Sequence, residues 1–271
     1  MLSNRFAYLD LIGFGDDVKH PEHVEYTPLY TRIRDCLDAR VKEKGKEYLP
    51  DPSEGTHDQE LKDLRYKSYH QRASFVPVTR RTRDGLVAQV LMRRPKIVAP
   101  KDNKNILSRI SSKGTSLISL ANVALGENVS FGRGAFVVSY AQTAGRPFID
   151  FIPTEDIITW VDMPYGNTDD IGRNLGSATI RTYYDMLAAD GISVVKVAQL
   201  TQYTISRDGV VWVRKKQSGT ATGQPSTTTK WTDYQMLRVN GNPVRHIPVS
   251  FKALRRTITR FKRRRLASLL T

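Results

Sequence analysis

The chain changes its hydrophobic period once, sharply, at Phe131–Gly134, and that change fixes the class of fold open to it. Before this point apolar residues recur at helical spacing; after it they come in short runs or alternate, as strands do. Gly132 and Gly134 break the helical pattern. Ala135–Tyr140 (AFVVSY) then reads as a buried strand, Gln142–Arg146 with the following Pro147 as a turn, Phe148–Ile152 (FIDFI) as a returning strand and Ile157–Val161 (IITWV) as a third. Pro153-Thr154-Glu155-Asp156 reads as a turn between the last two. Three short strands in sequence predict an antiparallel meander.

The preceding part predicts four or five helices over residues 27–130. Thr27 and Pro28 look like an N-cap and first helical position for a helix over Tyr26–Lys46, with Leu29, Ile33, Cys36, Leu37 and Val41 on one face and Gly45 as its stop. Further helices are expected over His57–Ala73, Val76–Arg93, Asn105–Ser112 and Thr115–Ser130. Residues 1–26, with Gly13, Gly15 and Pro21, read as a flexible arm. Past the meander, strands are expected at Ser177–Tyr184, Val194–Ile205, Val210–Val213, Trp231–Val239 and Val244–Phe251. Ser206–Gly209 and Asn240–Pro243 read as turns, and Gln217–Thr229 as a low-complexity loop. The fold class is therefore α+β: an N-terminal helical layer over 27–130, an antiparallel β-rich half over 131–251, and a basic tail over 252–271.

Charge narrows the choice of partners. The net charge is +15, and eight of the Lys and Arg residues lie between Lys252 and Arg265 with no acid among them. These are Lys252, Arg255, Arg256, Arg260, Lys262, Arg263, Arg264 and Arg265. Such a tail suits nucleic acid or another polyanion. Arg80, Arg81 and Arg83 make the Val76–Arg93 helix basic, a candidate contact for nucleic acid or for another subunit. No stretch is long and apolar enough to predict a membrane span. The N-terminus lacks the pattern of a secretion signal, and the single cysteine, Cys36, leaves no internal disulfide; both predict a reducing cytosol.

Catalytic constellations are not found in the sequence. It has no phosphate loop and no nucleophile elbow, and Gly132-Arg133-Gly134 lacks the third glycine of a dinucleotide site. His20 and His23 stand alone as a metal pair, and Glu155 and Asp156 are adjacent, which suits a turn better than an acid–base couple. The expectation is a binding or assembly protein, without cofactor or metal.

Several ordered pieces resemble the phage portal proteins of the DUF4055 type. They are Tyr48-Leu49-Pro50; Tyr66–Arg94, with its R-A-x-F, T-x-R-T and G-L-x-x-x-V elements; Gly132–Trp160, with R-P-F-I and I-P-x-E-D-I-I-x-W; Val194–Trp212; and the I-P-V-x-F of Ile247–Phe251. The resemblance spans roughly 27–251 and rests on order and spacing. It implies a portal wing-like fold and a non-enzymatic subunit of a ring, usually a dodecamer, at one capsid vertex. Such a ring passes double-stranded DNA and meets the terminase, the capsid and the tail connector proteins, in the virion and, during assembly, in the host cytoplasm. Lys252–Thr271 stands where portals continue into stem helices. A truncated or frameshifted copy is therefore expected: codons for Ala253–Arg260 can be chosen so that a neighbouring frame reads acidic and polar. Such a product is expected to lack the stem and to leave the ring incomplete. The alternative is a nucleic-acid-binding protein acting through its basic C-terminal tail.

Overall fold

The helical half starts at Pro21, ahead of the expected Thr27–Pro28, and the cause is tertiary. In a computed structural model, helix α1 spans Pro21–Leu37, with Pro21 in its first turn and the His20 Nδ1 accepting from the Glu22 backbone N–H at 3.2 Å. The His20 N–H donates to the carbonyl of Ile158 at 3.1 Å, and its ring stacks on Trp160 at 3.8 Å. A contact with a strand far along the chain thus sets the helix start, and Pro28 is carried inside the helix. Residues 20–26 of the expected arm belong to this helix or its cap. The structure describes residues 19–52, 55, 57–93, 95–97, 107–141, 145–162, 175–187, 191–206, 208–218, 231–239 and 241–253; residues 1–18 of the arm lie outside it.

α1 also ends earlier than Gly45. Asp38 caps it and Ala39 follows at φ 59°, a conformation that no α-helix continues through. Turns and a 3-10 segment, Gly45–Glu47, fill the remainder of the expected span. Leu29, placed on the apolar face by spacing, is exposed, while Tyr30 and Leu37 are buried with Phe131 against Tyr26 and Ile33.

The other helices begin where local chemistry says they should. α2 spans Gln59–Arg72, with the Asp58 carboxylate accepting from the N–H groups of Glu60 and Leu61. α3 spans Val78–Leu91 directly after Pro77. α4 spans Leu117–Phe131, with the Ser116 hydroxyl accepting from the N–H of Ser119, and it stops at Gly132, whose φ of 71° a side chain would resist. Of the helix expected over Asn105–Ser112, Leu107 and Ser108 are helical, and Arg109 leads into turns; Asn105 lies outside the described residues.

All strand pairing among the described residues is antiparallel. The strands are β1 Arg133–Ala141, β2 Arg146–Ile152, β3 Ile157–Asp162, β4 Leu175–Leu187, β5 Val194–Ile205, β6 Val211–Ser218, β7 Gln235–Met236, β8 Arg238–Val239, β9 Asn242–Pro243 and β10 Val249–Ala253. They form a sheet in the order β10-β1-β2, a second in the order β3-β4-β5-β6-β7, and a β8-β9 hairpin. The fold is α+β.

The meander is corrected. All three expected strands form, but β3 leaves β2 and pairs with β4 in the other sheet. Pro153 and the 3-10 turn Thr154–Asp156 redirect the chain, and the buried Thr154 hydroxyl donates to the Arg133 carbonyl, pinning the crossing to the start of β1. The place beside β1 that a meander leaves open is taken by β10, with Ala135 opposite Phe251 and Val137 opposite Val249. Lys252 and Ala253 therefore continue a strand, opposite Gly134 and Arg133, where a tail was expected to begin. β4 and β6 run longer than expected, whereas only Gln235–Met236 and Arg238–Val239 of Trp231–Val239, and only Val249 onward of Val244–Phe251, are strand.

The two main sheets enclose one core. Ala135, Val137, Ile152 and Val249 come from the first sheet; Ile157, Trp160, Ile180, Tyr203 and Val211 come from the second. Burial of this order supplies the main drive to fold, at roughly 25 cal/mol per Å² of apolar surface.

Candidate subunit and nucleic-acid surfaces

The three arginines of α3 have different surroundings. Arg80 is well exposed and its Nε lies 3.8 Å from Asp84, one turn on. Arg83 pairs with the same carboxylate at 2.7 Å, and its stem lies beside Gly126 of α4. Arg81 is exposed. One acid thus serves two of the three cations. Of the tail residues, Lys252 is placed by its backbone in β10; Arg255, Arg256, Arg260, Lys262, Arg263, Arg264 and Arg265 lie outside the described residues.

α3 also carries apolar residues outward, which charge-based reading passes over. Val78, Leu86 and Val90 are 60%, 45% and 61% exposed, with Leu86 and Val90 one turn apart, while Val87 beside them is buried. Leu64 of α2 and Met92 just past α3 are exposed as well. The sequence signal was present in the four-residue spacing of Leu86 and Val90, but spacing alone cannot say whether such a pair faces its own core or outward.

The helical layer is tied to the sheets by Arg34. Its guanidinium donates to both carboxylate oxygens of Glu127 on α4 at 2.8 Å, and to Glu155 in the 3-10 turn at 2.8 and 2.9 Å. It also lies 4.4 Å from the Phe131 ring centroid. Burial alone lowers its pKa; the hydrogen bonds to Glu127 and Glu155 outweigh that and hold it above the ordinary value. Asp156 accepts from the Nε of Arg181 on β4 at 2.8 Å. The adjacent pair Glu155 and Asp156 therefore faces two ways and joins α1 and β4.

His20 and His23 are used in packing. His20 stacks on Trp160, whose indole is also met by the Arg133 guanidinium at 4.1 Å. His23 is buried, and its Nδ1 finds no hydrogen-bond partner among the described residues. Burial, together with Lys19, Arg133, Arg181 and His20 nearby, pushes its pKa below the ordinary 6.5, so it is neutral at pH 7.

The five-stranded sheet turns Ile180, Tyr203 and Val211 toward the core, and its other side carries both polar and apolar residues, of which Thr179, Gln202, Thr204 and Trp212 are buried as well. Register aligns Thr179, Gln202 and Arg214 in one row across β4, β5 and β6, and Arg181, Leu200 and Lys216 in the next. Tyr183 lies opposite Ala198, and Asp185 opposite Lys196. Arg214 donates to Gln202 at 2.6 Å and lies 4.4 Å from the Trp231 ring and 4.9 Å from the Tyr234 ring. The run of cations in β6, Arg214-Lys215-Lys216, was the signal: period two puts Arg214 and Lys216 on the same side.

No family model matches the chain, and no curated protein matches it in sequence.

Proposed function

We propose that the chain is a structural, non-enzymatic subunit that associates with copies of itself, in the manner of the phage portal proteins of the DUF4055 type that it resembles. The observation that supports this best is the exposure of three large apolar residues on α3, Val78, Leu86 and Val90. A chain with a separate enclosed core between its sheets has no need of such exposure for its own folding, and a second subunit covers these residues with a gain in buried apolar area. Arg80, Arg81 and Asp84 accompany them with charges of both signs, which suits the polar rim of a protein–protein contact. In a portal ring that contact is heterologous, the α3 face of one subunit meeting a different surface of the next. The partners in that role are other copies, capsid, terminase and tail connector proteins, and the double-stranded DNA in the channel; the location is the portal vertex of the virion and the host cytoplasm during assembly.

Sedimentation velocity over a wide concentration range tests this. The expected result is a concentration-dependent shift from monomer to higher species. A chain that stays monomeric at about 100 µM, far above ordinary working affinities, overturns the reading.

The eight Lys and Arg residues between Lys252 and Arg265 favour a second reading, nucleic-acid binding through the tail. It predicts steep loss of affinity with salt, and loss of all binding when Lys252–Thr271 are removed.

A further inference from the structure

We infer, resting on the self-association proposed for α3, that the surface α3 meets is the β4–β5 ribbon of the next copy, laid across Gly85. Gly85 has no role in the packing of its own chain. It stands inside α3, where glycine weakens a helix relative to alanine. Its φ is not positive, and a Cβ added to it meets nothing within 4 Å. Val78, Arg81, Thr82 and Leu86 connect to it through steps of three and four residues, and all are exposed. The missing side chain leaves a notch in this patch, open to a second molecule.

β4 and β5 extend past the rest of their sheet. β3 reaches no further than Ile180 and β6 no further than Ala198, while β4 runs on to Leu187 against β5. Among the described residues the rows from Tyr184–Val197 to Leu187–Val194 are a ribbon of two strands, and two strands alone are marginally stable. Val197 is buried, so one side of the ribbon turns to the body of the protein. Tyr183, Asp185 and Leu187, with Val194 and Lys196, lie on the other side and are all exposed. Leu187 and Val194 are directly opposite each other and are 63% and 65% exposed. The α3 patch is exposed as well, so a chain does not seat its own ribbon on its own α3.

Charge selects the ribbon as the counterpart. Val78–Arg93 holds four arginines and one acid, so α3 against α3 brings cation to cation. Asp84 already serves Arg80 and Arg83, and the Arg81 guanidinium has no ion-pair partner among the described residues. On the ribbon, Lys196 lies over the Tyr183 ring, 5.1 Å from its centroid, and the Asp185 carboxylate has no ion-pair partner among the described residues. Thr182–Lys196 holds two acids and one base. The spacings agree too. Asp185 and Leu187 are about 7 Å apart along β4, and Arg81 and Gly85 about 6 Å apart along α3. Asp185 therefore reaches Arg81 when the Leu187–Val194 pair fills the notch at Gly85 between Val78 and Leu86. The contact is heterologous, one α3 patch and one ribbon to each junction.

The test uses the full 271-residue chain, read by sedimentation velocity and circular dichroism melting. Gly85→Gln fills the notch with a better helix former. It is expected to melt above wild type and yet to associate at least about tenfold more weakly. Leu187→Glu breaks the ribbon side and loses association to the same degree; Asp185→Lys, which sets a cation against Arg81, serves should Leu187→Glu unfold. Gly85→Gln and Leu187→Glu, each monomeric alone, are expected to form 1:1 dimers and nothing larger when mixed, because one intact patch and one intact ribbon remain between them. Wild-type association in Gly85→Gln, or in Leu187→Glu and Asp185→Lys, overturns the ribbon contact and leaves the self-association of the chain standing. A mixture that stays monomeric also overturns it. A wild-type chain that is itself monomeric at about 100 µM overturns the self-association, and the ribbon contact with it.

Discussion

Arg34 and Glu127 meet through a two-pronged ion pair, Nη1 to Oε1 and Nη2 to Oε2, both at 2.8 Å. The two residues are 93 positions apart, and the pair binds the first helix to the last helix before the sheets. Glu155 takes the remaining side of the guanidinium, so removing Arg34 leaves two carboxylates together without their cation.

Arg34→Ala is therefore expected to cost more than the loss of a surface pair. Glu127 is 13% exposed and Glu155 29%, so the penalty lies between the surface and buried limits, about 2 kcal/mol. Urea denaturation reads it as a lower midpoint with unchanged slope. Glu127→Gln keeps the shape and loses less.

Gly134 has no positive φ to explain it, yet an added Cβ there falls 2.4 Å from the Phe151 Cζ on the neighbouring strand. Gly134→Ala is expected to destabilise by about 1–3 kcal/mol through overpacking. Phe151→Leu should remove most of that penalty. A double-mutant cycle with a coupling near zero would contradict the ring contact as the cause.

His23 sets a pH dependence. Its folded pKa lies below the unfolded 6.5, so near that pH the unfolded chain binds a proton that the folded chain does not. Stability is thus fully present above pH 6.5 and is lost as the pH falls through 6.5 toward the folded value. Melting temperatures across about pH 5 to 8 should drop on the acid side, and His23→Leu should flatten that limb relative to wild type. An unchanged limb in the variant assigns the effect to other groups.

Val90→Glu places a charge among the exposed apolar residues of α3. At 61% exposure the substitution is expected to move stability by no more than about 0.5 kcal/mol. If these residues are a subunit contact, the same variant abolishes the concentration-dependent sedimentation of the wild type. Retained association would move the contact elsewhere on the surface.

Local chemistry in the sequence was legible where it was sufficient. Asp58, Pro77 and Ser116 start their helices because each end is governed by groups within three residues. Gly132 and Gly134 look alike in sequence but act differently, one through its dihedral angle and the other through a neighbour's ring. Only the first of these is a local property. The start of α1 was misplaced because Thr27–Pro28 is a sound local signal that a stack on Trp160 overrides.

By itself the sequence determined the α+β division, the antiparallel character and the positions of the long strands, because hydrophobic period and turn chemistry act over a few residues. Tertiary structure alone decided that β3 joins the second sheet, that β10 returns to β1, that Arg34 finds Glu127 and Glu155, and that the cations of β4, β5 and β6 share a face. The physical reason is that a strand's own residues say which sides it buries, but its edges offer the same N–H and C=O groups to any partner. Which partner arrives is settled by the packing of the whole core and by where the chain is turned, here by Pro153 and the buried Thr154.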